Sequence, residues 1–158
     1  MVTQQRQTEE WAFLHHRLPR EPSAPRISLW RALRRLGAVL VGDGLVALPA
    51  SDRTVEHLEW LAAGISENGG EASVWIARPT TRRHAERLVE QSRESAESDY
   101  RAVIREAAET STEPIDRRSV QRLRRQLHVI ESRDFFQAPS GRTARAVVES
   151  IARDKVPA

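Results

Sequence analysis

The 158-residue chain has no cysteine, so disulfides, thiolate zinc sites and cysteine nucleophiles are excluded. Lysine is almost missing: Lys155 is the only one, and arginine supplies every other base. The pI of 10.4 therefore reports arginine usage, because the formal net charge is only +3. No apolar run approaches the ~20 residues that a bilayer span needs. The N-terminus, MVTQQRQTEE, has no apolar core of the signal-peptide kind. These absences predict a soluble, cytoplasmic protein with no membrane partner. The length is enough for one domain or one and a half, with a core that needs no staples.

What is present reads as strands and helices in a definite order. Residues 1–8 are polar and aperiodic and are expected to form a flexible tail. Trp11 to Leu18 reads as a strand closed by Pro19, and Pro19 to Pro25 as a stiff connector with three prolines. Ser23 is placed as the cap of a helix reaching Leu36, with Leu29, Trp30, Leu33 and Leu36 on one stripe and Gly37 ending it. Ala38–Val41 and Leu45–Leu48 flank Gly42-Asp43-Gly44 as a β-hairpin. Ser51 or Asp52 then caps a second helix, buried through Val55, Leu58, Leu61, Ala62 and Ile65. Glu71 to Arg78 is a last strand. The order β-α-β-β-α-β is the split βαβ pattern of a ferredoxin-like α+β domain over residues 9–79.

Beyond Pro79 the periodicity turns helical, predicting an extension of about three helices over residues 80–158, packed on the first domain. The first runs from about Thr81 to Glu109, with Glu97 and Arg101 as a supporting pair. A break at Thr110–Pro114 precedes a helix from about Asp116 to Asp134, with Val120, Leu123, Leu127 and Ile130 at heptad-like spacing. A helix from about Gly141 to Asp154 follows, buried through Ala144, Val147, Val148 and Ile151.

No pattern of chemistry-bearing residues points to catalysis. Gly42-Asp43-Gly44-Leu45-Val46-Ala47 fits G-x-G-x-x-G/A, but Pro49 blocks the helix that must follow, so a hairpin turn is the better reading. His15 and His16 are adjacent and point to opposite faces of a strand, which does not suit one shared metal. No nucleophile elbow is present. The pairs Glu9-Glu10 and Glu56 with Glu59 carry no sign of a pocket that would raise a pKa. No catalytic residue, metal ligand or cofactor is assigned, and the chain is expected not to be an enzyme.

The arginines are the functional-looking constellation. Arg26, Arg31, Arg34 and Arg35 line the first helix, and Arg117, Arg118, Arg122, Arg124 and Arg125 form a second basic stretch. The net charge is zero over residues 1–79 and +3 over residues 80–158. A polyanion surface therefore requires segregation of charge onto one face. No helix-turn-helix is evident.

The stretch from Leu18 to Arg26 (LPREPSAPR), followed by Leu29-Trp30-Arg31-Ala32-Leu33-Arg34-Arg35-Leu36-Gly37-Ala38, resembles the N-terminal domain of the chromate resistance protein ChrB. Leu48-Pro49, Glu59-Trp60-Leu61 before Gly69-Gly70-Glu71-Ala72, and Arg133-Asp134-Phe135-Phe136 extend the likeness along the chain. The resemblance implies a transcriptional regulator of a chromate or oxyanion resistance operon, with operator DNA as partner and chromate as a possible effector. Phosphate contacts then fall to Arg26, Arg31, Arg34, Arg35, Arg117, Arg118, Arg122 and Arg125, while Trp30 and Leu33 anchor the first helix to the sheet. An oxyanion is placed against Arg17, Arg20 and the helix start at Ser23.

Family members carry a C-terminal domain that the likeness does not reach. The resemblance thus implies either a stand-alone regulator or one half of a split pair. In the second case the chain is an interaction module docking on a separately encoded ChrB C-terminal domain, with the Val120 to Ile130 row as part of its partner surface, although the chain's own core is the better reading of that row. The first domain is also similar to the ferredoxin-like module of PaaX-type repressors, by strand order alone. A nucleic-acid-processing enzyme on this fold is disfavoured, because His15, His16 and Arg17 stand where a metal-binding aspartate is wanted.

Overall fold

The computed structural model describes residues 10–110 and 116–154. The tail at residues 1–8 lies outside them, as does most of the break before Pro114. The chain divides into two compact units, residues 1–91 and 92–158.

The first unit contains β1 (Trp11–Arg17), α1 (Ala24–Leu36), β2 (Val39–Gly42), β3 (Leu45–Pro49), α2 (Asp52–Glu67) and β4 (Glu71–Ala77). The strands lie in the order β2-β3-β1-β4, with every neighbouring pair antiparallel. This is the strand order of the split βαβ arrangement. The first strand is internal to the sheet. Its register sets Leu14 opposite Val46 on one side and Val74 on the other. Side chains alternate across a strand, so Ala12 and Leu14 share one face with Val46, Leu48, Ala72 and Val74. That face packs with Leu29 and Leu33 of α1 and Leu58 and Ile65 of α2 into one core. Trp11 and Phe13 alternate to the other face, where Trp11 and Ala47 are fully buried.

The hairpin between β2 and β3 forms where the glycines predict it. Gly44 has a φ of +69°, and a Cβ there would sit 2.4 Å from the His16 carbonyl oxygen. Its own carbonyl accepts from the His16 N–H at 2.7 Å, which locks the turn beside β1. The dinucleotide pattern is thus a turn between strands, with no helix behind it.

The two helix starts differ. Ser51 is extended, and its hydroxyl accepts from the Thr54 N–H while the Thr54 hydroxyl accepts from the Ser51 N–H, a reciprocal capping box. The cap assigned to Ser23 does not form. Ser23 already has helical dihedrals (φ −77°, ψ −21°), so its side chain makes no capping bond. Capping requires an extended residue whose oxygen can reach forward to the second or third N–H. Pro25 instead occupies the first turn, where a missing N–H costs nothing. A second correction concerns Trp30. Leu29 and Leu33 are 7% and 8% exposed, but Trp30 is 59% exposed and does not anchor α1 to the sheet. One step beyond Leu29 rotates it about 100° off the buried stripe.

The helix α3 (Arg82–Thr110) begins in the first unit and continues into the second, which also holds α4 (Arg117–Arg133) and α5 (Gly141–Asp154). Ala96, Tyr100, Val103 and Ala107 of α3 meet Val120, Leu123, Leu127 and Ile130 of α4 and Ala144, Val148 and Ile151 of α5 in a second core. The Val120 to Ile130 row is therefore interior and not partner surface. Its spacing gives one apolar stripe, and α3 and α5 supply two helical faces that cover it. No described helix is long and apolar enough to cross a membrane.

Candidate polyanion-binding surfaces

The first surface is α1. Its sequence, APRISLWRALRRL, carries four arginines and no acidic residue. Leu29, Leu33 and half-buried Leu36 hold one side against the core, so Arg26, Arg31, Arg34 and Arg35 all project to solvent. Arg34 and Arg35 fall in the last turn, where the helix dipole favours a cation. Arg26 Nη1 donates to the Arg20 carbonyl at 3.2 Å, which ties the helix start to the proline connector. The guanidinium of Arg34 lies 5.3 Å from the centre of the Trp30 ring, a cation–π contact. Among the described residues no ion pair engages Arg31 or Arg35.

The side chains divide between two sides of the helix. Arg26, Trp30 and Arg34 follow one another at intervals of four and form one row. Arg31 and Arg35 are one turn apart on another side, each three positions after a residue, Ser28 or Ala32, that lines a groove shared with α2.

The second basic stretch is more occupied than its sequence suggests. Arg122 Nε pairs with Glu106 at 3.0 Å, and Arg124 forms a two-pronged pair with Glu149 at 2.8 and 3.1 Å. That pair holds the Glu149 carboxyl below its usual range, chiefly through the hydrogen bond from Arg124. Arg117 also has a partner. Arg118 and Arg125 remain exposed with no ion pair among the described residues. Two of the four assigned cations on α4 thus keep solvent-facing charge without a carboxylate.

Of the residues expected to hold an oxyanion, Arg17 is already paired. Arg17 Nη2 pairs with Glu71 at 3.1 Å, both side chains being more than three-quarters exposed. Arg20 is engaged through its carbonyl, and Ser23 makes no capping bond. Beside them, half-buried His16 is pushed below the usual histidine range by burial and then by the charge of His15. Among the described residues no three His, Asp or Glu side chains converge as a metal site requires.

The second unit holds an open cleft of about 1020 Å³ lined by Tyr100, Asp134, Pro139, Arg142, Arg145 and Glu149. The Tyr100 hydroxyl donates to Asp134 at 3.1 Å, and burial first, then the Asp134 charge, push its pKa up. Arg145 pairs with Glu131 at 2.6 Å. The polar groups here mostly satisfy one another.

The late motif Arg133-Asp134-Phe135-Phe136 has a structural meaning that the sequence reading missed. Arg133 pairs with Asp99 while Asp134 accepts from Tyr100, so two consecutive residues clasp two consecutive residues of α3. Asp134 also accepts the Ala138 N–H at 3.0 Å and so closes the turn that follows α4. Glu97 does the same further on, accepting from the Ser140 N–H at 2.9 Å and the Ser140 hydroxyl at 2.6 Å.

The chain joins an α+β ferredoxin-like unit to a helical one, and the first carries an arginine-rich helix on its surface. Residues 26–117, more than half of the chain, match the family described as Protein ChrB, N-terminal, and the chain belongs to that family. The family is associated with chromate resistance. The matched segment runs from the first arginine of α1 to the first residue of α4, so Arg20, Ser23 and the Arg133-Asp134 motif fall outside it. No curated protein and no solved structure matches the chain.

Proposed function

We propose that the chain is a non-enzymatic, cytoplasmic transcriptional regulator of a chromate or oxyanion resistance operon that contacts operator DNA through arginine. The observation that carries this reading is α1, which exposes four arginines and no carboxylate in a chain whose family context is chromate resistance. The row Arg26, Trp30 and Arg34 is best suited to phosphate, because its two cations flank an exposed aromatic ring. Arg118 and Arg125 add a second patch. Contacts of this kind set affinity and position on the duplex, and each phosphate neutralised steepens the dependence on salt.

The test is fluorescence anisotropy with DNA from upstream of the gene, against an unrelated duplex, at two salt concentrations and with or without chromate. Selective binding released by chromate is expected. Arg26→Glu with Arg34→Glu should weaken binding about 30-fold or more and flatten the salt slope by about two phosphates. The variant should stay folded by circular dichroism, with a thermal transition slightly lowered by the acid placed at the helix C-terminus. Unaltered affinity would reject α1 and leave Arg118 and Arg125 to be reversed next.

A further inference from the structure

We infer that the outer surface of α1 and α2 is a two-fold interface on which a second copy of this chain docks, laying α1 of each copy against α2 of the other. The inference is independent of the DNA reading. Trp60, 80% exposed, is itself part of the lining of a groove of about 240 Å³ that runs between the two helices. The groove walls are small or apolar: Leu18, Pro25 and Ala32 on one side, Leu61, Gly64 and Ile65 on the other. An exposed tryptophan at a slot lined with glycine and alanine is the pairing that anchors protein interfaces.

Charge identifies the occupant. Outside the lining of the groove, α1 exposes Arg31 and Arg35 one turn apart and has no acid anywhere. On α2, exposed Glu56 and Glu67 fall on the helical stripe of Trp60, four residues before it and seven after. Helix α2 also exposes Asp52 and Glu59, against Arg53 as its one arginine. The exposed charge of α1 is therefore positive and that of α2 mostly negative. An isologous contact repeats every pairing about its axis, residue i on j and j on i. Packing α1 on α1 or α2 on α2 would set like charges together, which an interface uses to reject wrong registers. Only the crossed arrangement places Arg31 and Arg35 of each copy against Glu56 and Glu67 of the other, and it does so twice. Trp60 of each copy then enters the partner's groove. The row Arg26, Trp30 and Arg34 lies outside the lining of the groove.

The experiment is sedimentation of the full chain without DNA, with two reciprocal variants, Arg31→Glu with Arg35→Glu and Glu56→Arg with Glu67→Arg. The wild-type protein should sediment at twice its 17.9 kDa mass at micromolar concentration. Each variant alone should dissociate about 30-fold more readily or worse, as should Trp60→Ser, with unchanged circular dichroism. An equimolar mixture of the two charge variants should recover the dimer, because each reversed helix then meets a reversed helix and each native helix a native one. A wild-type monomer overturns the inference, even one that captures a separately encoded ChrB C-terminal domain through Trp60. Variants that stay dimeric overturn it too, as does a mixture of folded variants that fails to reassociate.

Discussion

Ser140 and Glu97 show how much one side chain can organise. The carboxylate of Glu97 takes both the N–H and the hydroxyl of Ser140, 43 residues away, and also pairs with Arg101 at 3.0 Å. The two Ser140 bonds, the hydroxyl's first, hold the Glu97 pKa below the usual glutamate value. A depressed carboxylate pKa stabilises the fold above its unfolded value and loses that contribution as pH falls through the folded one. Ser140→Ala should therefore cost about 1 kcal/mol at neutral pH, the order of one hydrogen bond to a charged group, read by urea unfolding. The difference from wild type should close on acidification below the ordinary glutamate range. A gap that stays constant with pH would assign the loss to packing and not to the carboxylate.

At the scale of elements, caps decide more than they announce. Ser23 and Ser51 each precede a helix, but only Ser51 has the extended backbone that lets a hydroxyl reach forward. Ser51→Ala is expected to lower stability by about 1 kcal/mol, while Ser23→Ala should change it by only a few tenths at most. Thermal denaturation of the two variants side by side checks this. The sequence distinguishes the serines poorly, since both are followed by a helical pattern. What separates them is Pro25, which starts the first helix early and absorbs the residue meant to cap it.

Much of the remaining fold was legible. Short apolar runs bounded by Pro and Gly placed all four strands, and the three-four spacing placed α3, α4 and α5. Trp30 was misplaced because periodicity marks a stripe only to within one residue, and tryptophan tolerates a surface. Arg122 and Arg124 looked available because their partners, Glu106 and Glu149, stand on other helices. Chain separation hid those pairs, just as it hid the Arg133–Asp99 and Asp134–Tyr100 clasp.

For the whole molecule, the two units carry separate cores and need not lose structure together. The clasp offers a way to address one alone. Arg133 is 11% exposed and Asp99 23%, so removing the guanidinium takes a partly buried ion-pair partner from Asp99. Arg133→Ala should cost about 2 kcal/mol and speed amide exchange in α4 and α5 about 30-fold. Exchange in β1 and β3 should be unaffected. Equal acceleration in both units would mean that they unfold as one.

The central place of β1 has a consequence for how the protein is made. Both ladders that flank this strand come from later chain, the nearer from Leu45–Pro49 and the farther from Glu71–Ala77. On a ribosome adding residues at roughly 5–20 per second, the strand emerges seconds before its second neighbour exists. Until Leu45–Pro49 follows, Trp11, Phe13 and Leu14 have no strand to pair with, and until Glu71–Ala77 follows, one edge of β1 stays open. The first unit is thus a body whose keystone is laid first and supported last, and its nascent chain is the state most in need of protection from aggregation.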